Sequence, residues 1–220
     1  MEKLAQKTAL ARRFQPGFIE LRLDYLQKEP DEREIKKIRS LLKGKEILTI
    51  RSKSEGGRYE GSDSERLSLI QRCISELRPK LMDIEASTIM KNSRIMKLAE
   101  TEGVAVIASS HFFGKTPKAP SLERILSKVP RSEALYAVKI AFSARNFADN
   151  LTVLSLYNSP IVKRIKPTKL IAFCMGDLGI FSRIACLTLG SPLSYASLPG
   201  KAIAPGQVDF ETMRKAVALL

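Results

Sequence analysis

The sequence predicts an α/β protein built as a (β/α)8 barrel, with residues 1–220 in a single domain. Seven short apolar segments alternate with longer helical segments and begin 23 to 35 residues apart, and one face of the first three is charged. The alternation and the spacing are typical of repeated strand–helix units. No linker or shift in composition divides the chain, which favours one domain.

The predicted elements follow one another regularly. The seven strands cover residues 18–24, 46–51, 81–85, 104–111, 135–141, 169–175 and 193–197. Helical patterns occupy residues 2–13, 31–44, 62–77, 121–129 and 209–220. The helix at 31–44 opens with acidic residues and ends at Gly44, the order that the helix dipole and a glycine C-cap favour.

The faces of the first three strands favour a closed barrel over an open doubly wound sheet. Apolar side chains alternate there with charged or polar ones, namely Glu20, Arg22, Asp24, Thr49, Arg51, Asp83 and Glu85. Strands of an open sheet carry helices on both faces and should be apolar on both. Charge on one face indicates instead a shared interior near the carboxyl ends of barrel strands, where barrel enzymes have their active sites.

The strand count is one short of a complete barrel. Because residues 2–13 form a predicted helix ahead of the first visible strand, the missing strand would precede Met1. We therefore expect a barrel that lacks its first strand or is truncated there.

The net charge of the chain indicates which kinds of molecule it is suited to bind. Lysine and arginine number 37 against 23 acidic residues, a formal charge of +14. Nucleic-acid binders usually concentrate such charge beside aromatic residues, but Trp is absent, the basic residues are spread, and their densest group at 163–166 predicts an exposed turn. No apolar run reaches the ~18 residues of a membrane helix. We expect a partner that is neither nucleic acid nor membrane.

Cofactor motifs are missing as well. The three cysteines are odd in number and form no Cys-x-x-Cys pair, which argues against disulfides and zinc and favours a reduced, cytoplasmic location. The glycine pair at 56–57 belongs to neither phosphate-binding motif, Gly-x-Gly-x-x-Gly or Gly-Lys-Ser/Thr. We therefore predict no cofactor and no metal.

Two residues stand out as candidates for chemistry. His111 is the single histidine and lies at the carboxyl end of a predicted strand, although a lone histidine is often structural. Lys139 lies within an apolar strand and shares a face with Ala137 and Ala141. Burial of a lysine favours the neutral, nucleophilic amine that imine formation requires. The alternative is an edge-strand lysine that reaches out to water.

Several short motifs then occur in a characteristic order. They are ELRLD at 20–24, TIR at 49–51 with EGG at 55–57, SH at 110–111, VKI at 138–140, MG at 175–176 with Gly179 and SR at 182–183, and APGQ at 204–207. Together they resemble the type I 3-dehydroquinate dehydratases, the imine-forming enzymes of the shikimate pathway. The resemblance runs from about Phe18 to the C-terminus and implies a TIM barrel, a small-molecule substrate and, in many such families, a homodimer.

The resemblance also implies roles for the catalytic candidates. Lys139 matches the lysine that condenses with the ketone of 3-dehydroquinate. His111 matches the general acid and base that removes the neighbouring proton and then helps the hydroxyl to leave. Glu55 matches the carboxylate that orients and charges this histidine. The product would be 3-dehydroshikimate.

The remaining matches imply substrate binding. Arg183 corresponds to the arginine that holds the substrate carboxylate, Met175 packs against the ring, and Tyr195 falls where the family has an aromatic wall. The residues matched to contacts with the ring hydroxyls are Glu20, Arg22, Arg51 and Gln207. One departure is Ile203, which stands where the family often has a hydroxyl residue, so that either a backbone group substitutes or the affinity is lower.

Two other functions are compatible with parts of the sequence. A lysine-imine (class I) aldolase would use the same barrel, but its expected phosphate-binding loop after the last strands is not evident. A non-enzymatic basic binding domain would use the net charge of +14.

Overall fold

The structure, a computed structural model, describes residues 1–26, 28–114, 117, 119–164 and 168–220. Residue contacts divide the chain into two compact units. The first unit comprises Met1–Ala108 and Pro130–Tyr136, and the second unit comprises Ser109–Val129 and Ala137–Leu220. The single domain expected from the sequence stays a prediction.

Six strands form one sheet, and their order in the sheet is their order in the chain. The strands are β1 (Ile19–Arg22), β2 (Glu46–Thr49), β3 (Leu81–Glu85), β4 (Ala105–Phe112), β5 (Leu135–Ser143) and β6 (Lys169–Met175). The pairs β1–β2, β2–β3 and β5–β6 are parallel. A doubly wound sheet reverses its strand order at a switch point, whereas this order never reverses. The fold is therefore that of a truncated (β/α)8 barrel, as the charged strand faces predicted.

The predicted seventh strand at 193–197 is wrong. Residues 191–200, all within the described part of the chain, contain one isolated bridge, in which Ser197 pairs with Asp209. The hydroxyl of Ser191 donates to the Leu193 carbonyl at 2.7 Å, and that of Ser194 donates to the Arg183 carbonyl. Such local serine hydrogen bonds compete with a strand ladder, and sequence alternation does not reveal them.

Two of the helices described in the first unit begin at capping residues that the sequence offers. The helices of this unit are α1 (Glu2–Arg13), α2 (Glu32–Leu41), α3 (Asp63–Arg72), α4 (Ala86–Lys91) and α5 (Arg94–Glu102). Asp31 and Glu34 form a capping box at α2, and Ser62 and Glu65 form another at α3. The predicted helix at 62–77 continues past α3 as a π-helical turn, Cys73–Leu77, and α4 and α5 were not predicted.

The core of the first unit lies between its strands and helices. The β1–β2–β3 register aligns Leu21, Leu48 and Met82, all buried, on one face of the sheet. Ile38 of α2 and Ile70 of α3 are also fully buried. At roughly 25 cal/mol per Å² of apolar surface, such side chains supply most of the drive to fold.

The second unit is organised around β5 and β6. Its helices are α6 (Ala119–Lys128), α7 (Ala148–Ser155), α8 (Pro160–Arg164), α9 (Ile180–Ala185) and α10 (Phe210–Val217). The basic group at 163–166 is thus not simply a turn, because its first two residues end α8, and its last two lie outside the described residues. Within the described ranges, no helix combines the length and hydropathy needed to cross a membrane.

Candidate active site

The first unit carries a row of polar side chains at the carboxyl ends of β1, β2 and β3. The strand register pairs Arg22 with Thr49 and Thr49 with Asp83, which places the three on one face of the sheet. Glu20 lies on the same face and accepts a hydrogen bond from the Thr49 hydroxyl at 2.7 Å. The polar face read from the sequence is therefore real, and it is buried at Thr49 and Asp83.

Arg22 is held in a fixed orientation by Asp24. Its Nε and Nη2 donate to the two oxygens of the Asp24 carboxylate at 2.8 and 2.7 Å. Burial works to lower the Arg22 pKa, but the hydrogen bonds and charge of Asp24 outweigh it, and the pKa lies above its ordinary value. Asp24 also accepts the backbone N–H of Arg58 at 3.0 Å, which ties the end of β1 to the loop after β2.

Arg51 lies at the centre of a buried charge network. Its Nη2 donates to Asp83 at 2.6 Å, and its Nη1 lies 3.8 Å from Glu55 and 3.7 Å from Glu85. Burial opposes the charged guanidinium, but the surrounding carboxylates dominate and raise the pKa of Arg51 well above its usual range. The group is therefore a permanent cation with a fixed direction.

The Glu-Gly-Gly turn has a steric explanation. Gly56 follows Glu55 with φ at 77°, a left-handed conformation that glycine adopts without strain. A Cβ on Gly57 would lie 2.1 Å from the Arg51 carbonyl oxygen, so that only glycine fits there. The two glycines thus fold the chain tightly back onto Arg51 and place Glu55 beside its guanidinium.

Four residues that pair with these arginines or with their carboxylates were not predicted as site residues: Asp24, Asp83, Glu85 and Arg66, whose Nη2 lies 3.0 Å from Glu85. Three of them already belonged to the charged strand faces, and that alternation was the available signal. Arg66 belongs to α3, and its place depends on how that helix packs.

In the second unit, His111 and Lys139 lie on the same face of the sheet. Phe112 of β4 and Phe142 of β5 stack with ring centroids 4.9 Å apart, so these two side chains share a face. Because side chains alternate along a strand, His111 and Lys139 both project to the opposite face. The β5–β6 register adds Met175 to that face, since it pairs with Ser143, which lies four residues beyond Lys139 along β5.

Lys139 is buried within the sheet. Its exposed fraction is 4%, and Ala137 and Ala141 beside it are buried. The Nζ atom lies 4.0 Å from the centroid of the Tyr195 ring. Since β5 has β4 and β6 as neighbours, the edge-strand alternative for this lysine is wrong.

Arg183 is the second buried cation near Tyr195. Its Cζ lies 4.5 Å from the centroid of Phe173, and the rings of Phe173 and Tyr195 are 6.0 Å apart. The guanidinium donates to the carbonyls of Tyr195 at 3.5 Å and Pro205 at 3.2 Å.

No carboxylate among the described residues balances the charge of Arg183. Among the described residues it forms no ion pair, and its buried Nε has no hydrogen-bond partner. Its exposed fraction is 2%, and burial lowers its pKa to about 10. A buried cation in this state gains from an anionic ligand.

The segment that ends in Gln207 is folded against the end of β6. Gly206 has φ at 68°, and a Cβ there would lie 2.1 Å from the Gly176 carbonyl oxygen. The Gly176 N–H donates to the Pro205 carbonyl at 3.1 Å. These contacts explain the two glycine-containing motifs at 175–176 and 204–207 as one packed pair of turns.

Gln207 is partly occupied within its own loop. Its Oε1 accepts the backbone N–H groups of Ile203 at 3.0 Å and Ala204 at 3.2 Å. Its side-chain amide N–H₂ is therefore the end that points away from the loop backbone. Because the Ile203 backbone N–H already donates to Gln207, it is a poor substitute for the hydroxyl group that the resembled family often has at this position.

Helix α9 is anchored so that Arg183 has a defined position. The Ser182 hydroxyl accepts the Cys174 N–H at 2.8 Å, and its own N–H donates to Asn150 Oδ1 at 3.3 Å. Asn150 also donates to the Leu178 carbonyl at 2.7 Å.

No group of three or more His, Cys, Asp or Glu side chains suited to a metal ion occurs in the described ranges.

Comparison with known proteins identifies what this arrangement is similar to. A model of the type I 3-dehydroquinase family matches residues 1–220. The 3-dehydroquinate dehydratase of Methanocaldococcus jannaschii is 36% identical over 199 residues, which cover 90% of this chain and 84% of that protein.

Solved structures give the same likeness. The 3-dehydroquinate dehydratase of Geobacillus kaustophilus aligns with a TM-score of 0.85 at 24% identity, over 98% of this chain and 84% of that chain, and shows the fold. The type I enzyme of Clostridium difficile, solved with covalently modified comenic acid, aligns with a TM-score of 0.77 at 25% identity, over 92% of this chain and 81% of that chain.

Proposed function

This chain belongs to the type I 3-dehydroquinase family and is a hydro-lyase that dehydrates 3-dehydroquinate, and we propose that it does so through an imine on Lys139 with His111 as general acid and base. The product is 3-dehydroshikimate. Family membership sets aside both the aldolase and the non-enzymatic binding domain.

The observation that carries the proposal is the setting of Lys139. Lys139 is 4% exposed and flanked by two buried alanines, and its Nζ lies 4.0 Å from the centroid of the Tyr195 ring. Burial penalises the ammonium and favours the neutral amine. A neutral amine attacks the substrate ketone, and loss of water from the adduct forms the imine.

His111 is the base that the next step requires. It shares a sheet face with Lys139 and is partly exposed, so that its imidazole is accessible to a ligand on that face. The protonated imine withdraws electrons and acidifies the neighbouring C–H bond. His111 removes that proton, the electron pair forms the C=C bond, and the imidazolium then protonates the departing hydroxyl, which leaves as water. Hydrolysis of the imine releases the product and restores the amine.

Arg183 is the residue that we assign to the substrate carboxylate. Its buried, unbalanced charge and its unpartnered Nε support this assignment. A carboxylate would supply the missing counter-charge and accept hydrogen bonds in the planar geometry that guanidinium favours. Met175 and Tyr195, both buried, would pack against the ring.

The roles of the remaining residues rest on the family resemblance. We assign Glu55 to the orientation of the catalytic histidine. The residues assigned to the hydroxyls of the substrate are Glu20, Arg22, Arg51 and Gln207. The fixed orientations of Arg22 and Arg51 support these assignments, because a donor held in place binds with less entropic cost. The homodimer and the cytoplasmic location stay predictions.

Covalent trapping tests the mechanism directly. The protein is mixed with 3-dehydroquinate and sodium borohydride, digested, and mapped by mass spectrometry. We expect a reduced adduct on the peptide that contains Lys139, and none in Lys139→Met or without substrate. An active enzyme that yields no adduct on that peptide would contradict the imine.

A further inference from the structure

We propose that Arg66 and Glu85, which the family resemblance did not assign, are positioning residues that orient Arg51 for substrate binding. The inference rests on the proposed role of Arg51. It concerns residues of the first unit alone, where the buried Arg66–Glu85 ion pair lies beside Arg51.

Glu85 bridges two arginines. Its Oε2 lies 3.0 Å from Arg66 Nη2, and its Oε1 lies 3.7 Å from Arg51 Nη1. The same Oε1 accepts the backbone N–H of Ser52 at 2.8 Å. Glu85 therefore holds both the guanidinium of Arg51 and the peptide that follows it.

Arg66 holds the peptide on the other side of Arg51. Its Nη1 donates to the Ile50 carbonyl at 3.3 Å, and its Nη2 donates to the Thr88 hydroxyl at 2.8 Å. The Arg66–Glu85 pair thus clamps the backbone at residues 50 and 52, on both sides of Arg51. Because both side chains are almost fully buried, the clamp has little freedom to move.

Stability alone is a poor reason for this pair. Arg66 keeps a buried Nε without a hydrogen-bond partner among the described residues, which is a cost to folding. Replacing a buried ion pair by well-packed neutral side chains is often neutral or stabilising. The Arg66–Glu85 pair is therefore better suited to positioning Arg51 than to stabilising the fold, because it holds the peptides on both sides of that arginine.

The experiment compares Arg66→Met, Glu85→Gln and the double variant with the wild type, in melting temperature, KM and kcat. The double variant removes both charges of the pair together, so neither is left buried without the other, and Arg51 keeps Asp83 and Glu55 as partners. We expect its melting temperature to stay within a few degrees of the wild type and its KM to rise roughly tenfold, the loss of one well-placed charged hydrogen bond. The kcat should change much less, since the groups proposed for the chemistry are untouched.

Two further variants separate the possible failures. Arg72→Met, on the same helix at a half-exposed ion pair with Glu76, is the matched control and should leave KM unchanged. Arg66→Lys keeps the charge and should have a KM between those of the wild type and the double variant. Glu85→Gln decides the question if the double variant does not fold.

A wild-type KM in the folded double variant, or in Glu85→Gln when the double variant does not fold, would overturn the positioning role. A wild-type KM in Arg51→Lys would instead overturn the proposed function of Arg51 itself.

Discussion

The two units treat their buried arginines in opposite ways. In the first unit, Arg22 and Arg51 are each paired with carboxylates at 2.6 to 2.8 Å, and their pKa values lie above the ordinary one. In the second unit, Arg183 has no carboxylate among the described residues, and burial lowers its pKa to about 10. The charges of Arg22 and Arg51 are therefore compensated within the first unit, whereas that of Arg183 would be compensated by the substrate carboxylate that we propose it binds.

This contrast suggests that the arginines of the two units bind different groups of the substrate. Arginines neutralised by the protein offer directed hydrogen bonds to neutral hydroxyls without adding net charge. An arginine left with its full charge attracts an anion, and the net charge of +14 raises the local concentration of that anion. Lys139 and His111 belong to the same unit as the unbalanced arginine, so the chemistry should depend most on the second unit.

The largest expected effect tests that dependence. His111→Ala removes the proposed general acid and base, and turnover should fall ~10²–10⁴-fold. The imine itself should still form, because Lys139 is unchanged, so borohydride should still trap the substrate. Steady-state assays and adduct mass measure the two outcomes, and full turnover in this variant would remove His111 from its role.

Glu55→Gln is the matched change in the first unit. It alters the residue proposed to orient the base but leaves His111 in place, so its loss of turnover should be smaller than that of His111→Ala. A larger loss would reverse the proposed ranking of the two units.

The arginines themselves provide the next comparison. Arg183→Met should raise the KM by about 100-fold, because the substrate carboxylate loses a charged partner. Its melting temperature should be unchanged or higher, since a buried unpaired charge is removed. Arg51→Met should lower the melting temperature, because breaking a buried ion pair costs about 3–5 kcal/mol. Equal changes in melting temperature would show that the two arginines are not in different electrostatic states.

The smallest expected effect is a dependence of stability on pH. Because the pKa of Arg183 is lowered in the folded protein, the folded protein binds fewer protons than the unfolded chain above about pH 10. The free energy of unfolding therefore rises with pH in that region. The charged Arg183 guanidinium destabilises the folded protein fully below about pH 10, and this destabilisation decreases as the pH rises through that value. The melting temperatures of wild type and Arg183→Met should therefore converge as the pH increases through this region. If the melting temperatures of the two proteins instead changed in parallel with pH, a lowered pKa of Arg183 would be contradicted. Arg183→Met serves as the control for all other titrating groups, because both proteins contain them.

Much of the fold was predictable because its signals are local. The strands at 81–85 and 169–175 and the helix at 2–13 have the predicted boundaries. The capping boxes at α2 and α3 involve residues three apart, so the sequence displays them directly. The strand at 193–197 was wrong for a related reason, since alternation shows only which side chains could face a core and not where the backbone hydrogen bonds go.

The site was predictable only in part. Order and spacing of the motifs singled out Lys139, His111 and Arg183, whereas Arg66 lies in an ordinary amphipathic helix. Its partner Glu85 is 19 residues away in sequence, and nothing local relates the two.

The sequence by itself determined where most strands and the capped helices form, and which side chains share a strand face, because these depend on near neighbours and backbone sterics. Tertiary structure decided which buried charges are compensated. Only packing brings Asp83 and Glu85 to Arg51 while placing Phe173 and two carbonyls, but no carboxylate among the described residues, around Arg183. Electrostatic energy depends on distance and burial in space, and neither is written in the order of residues.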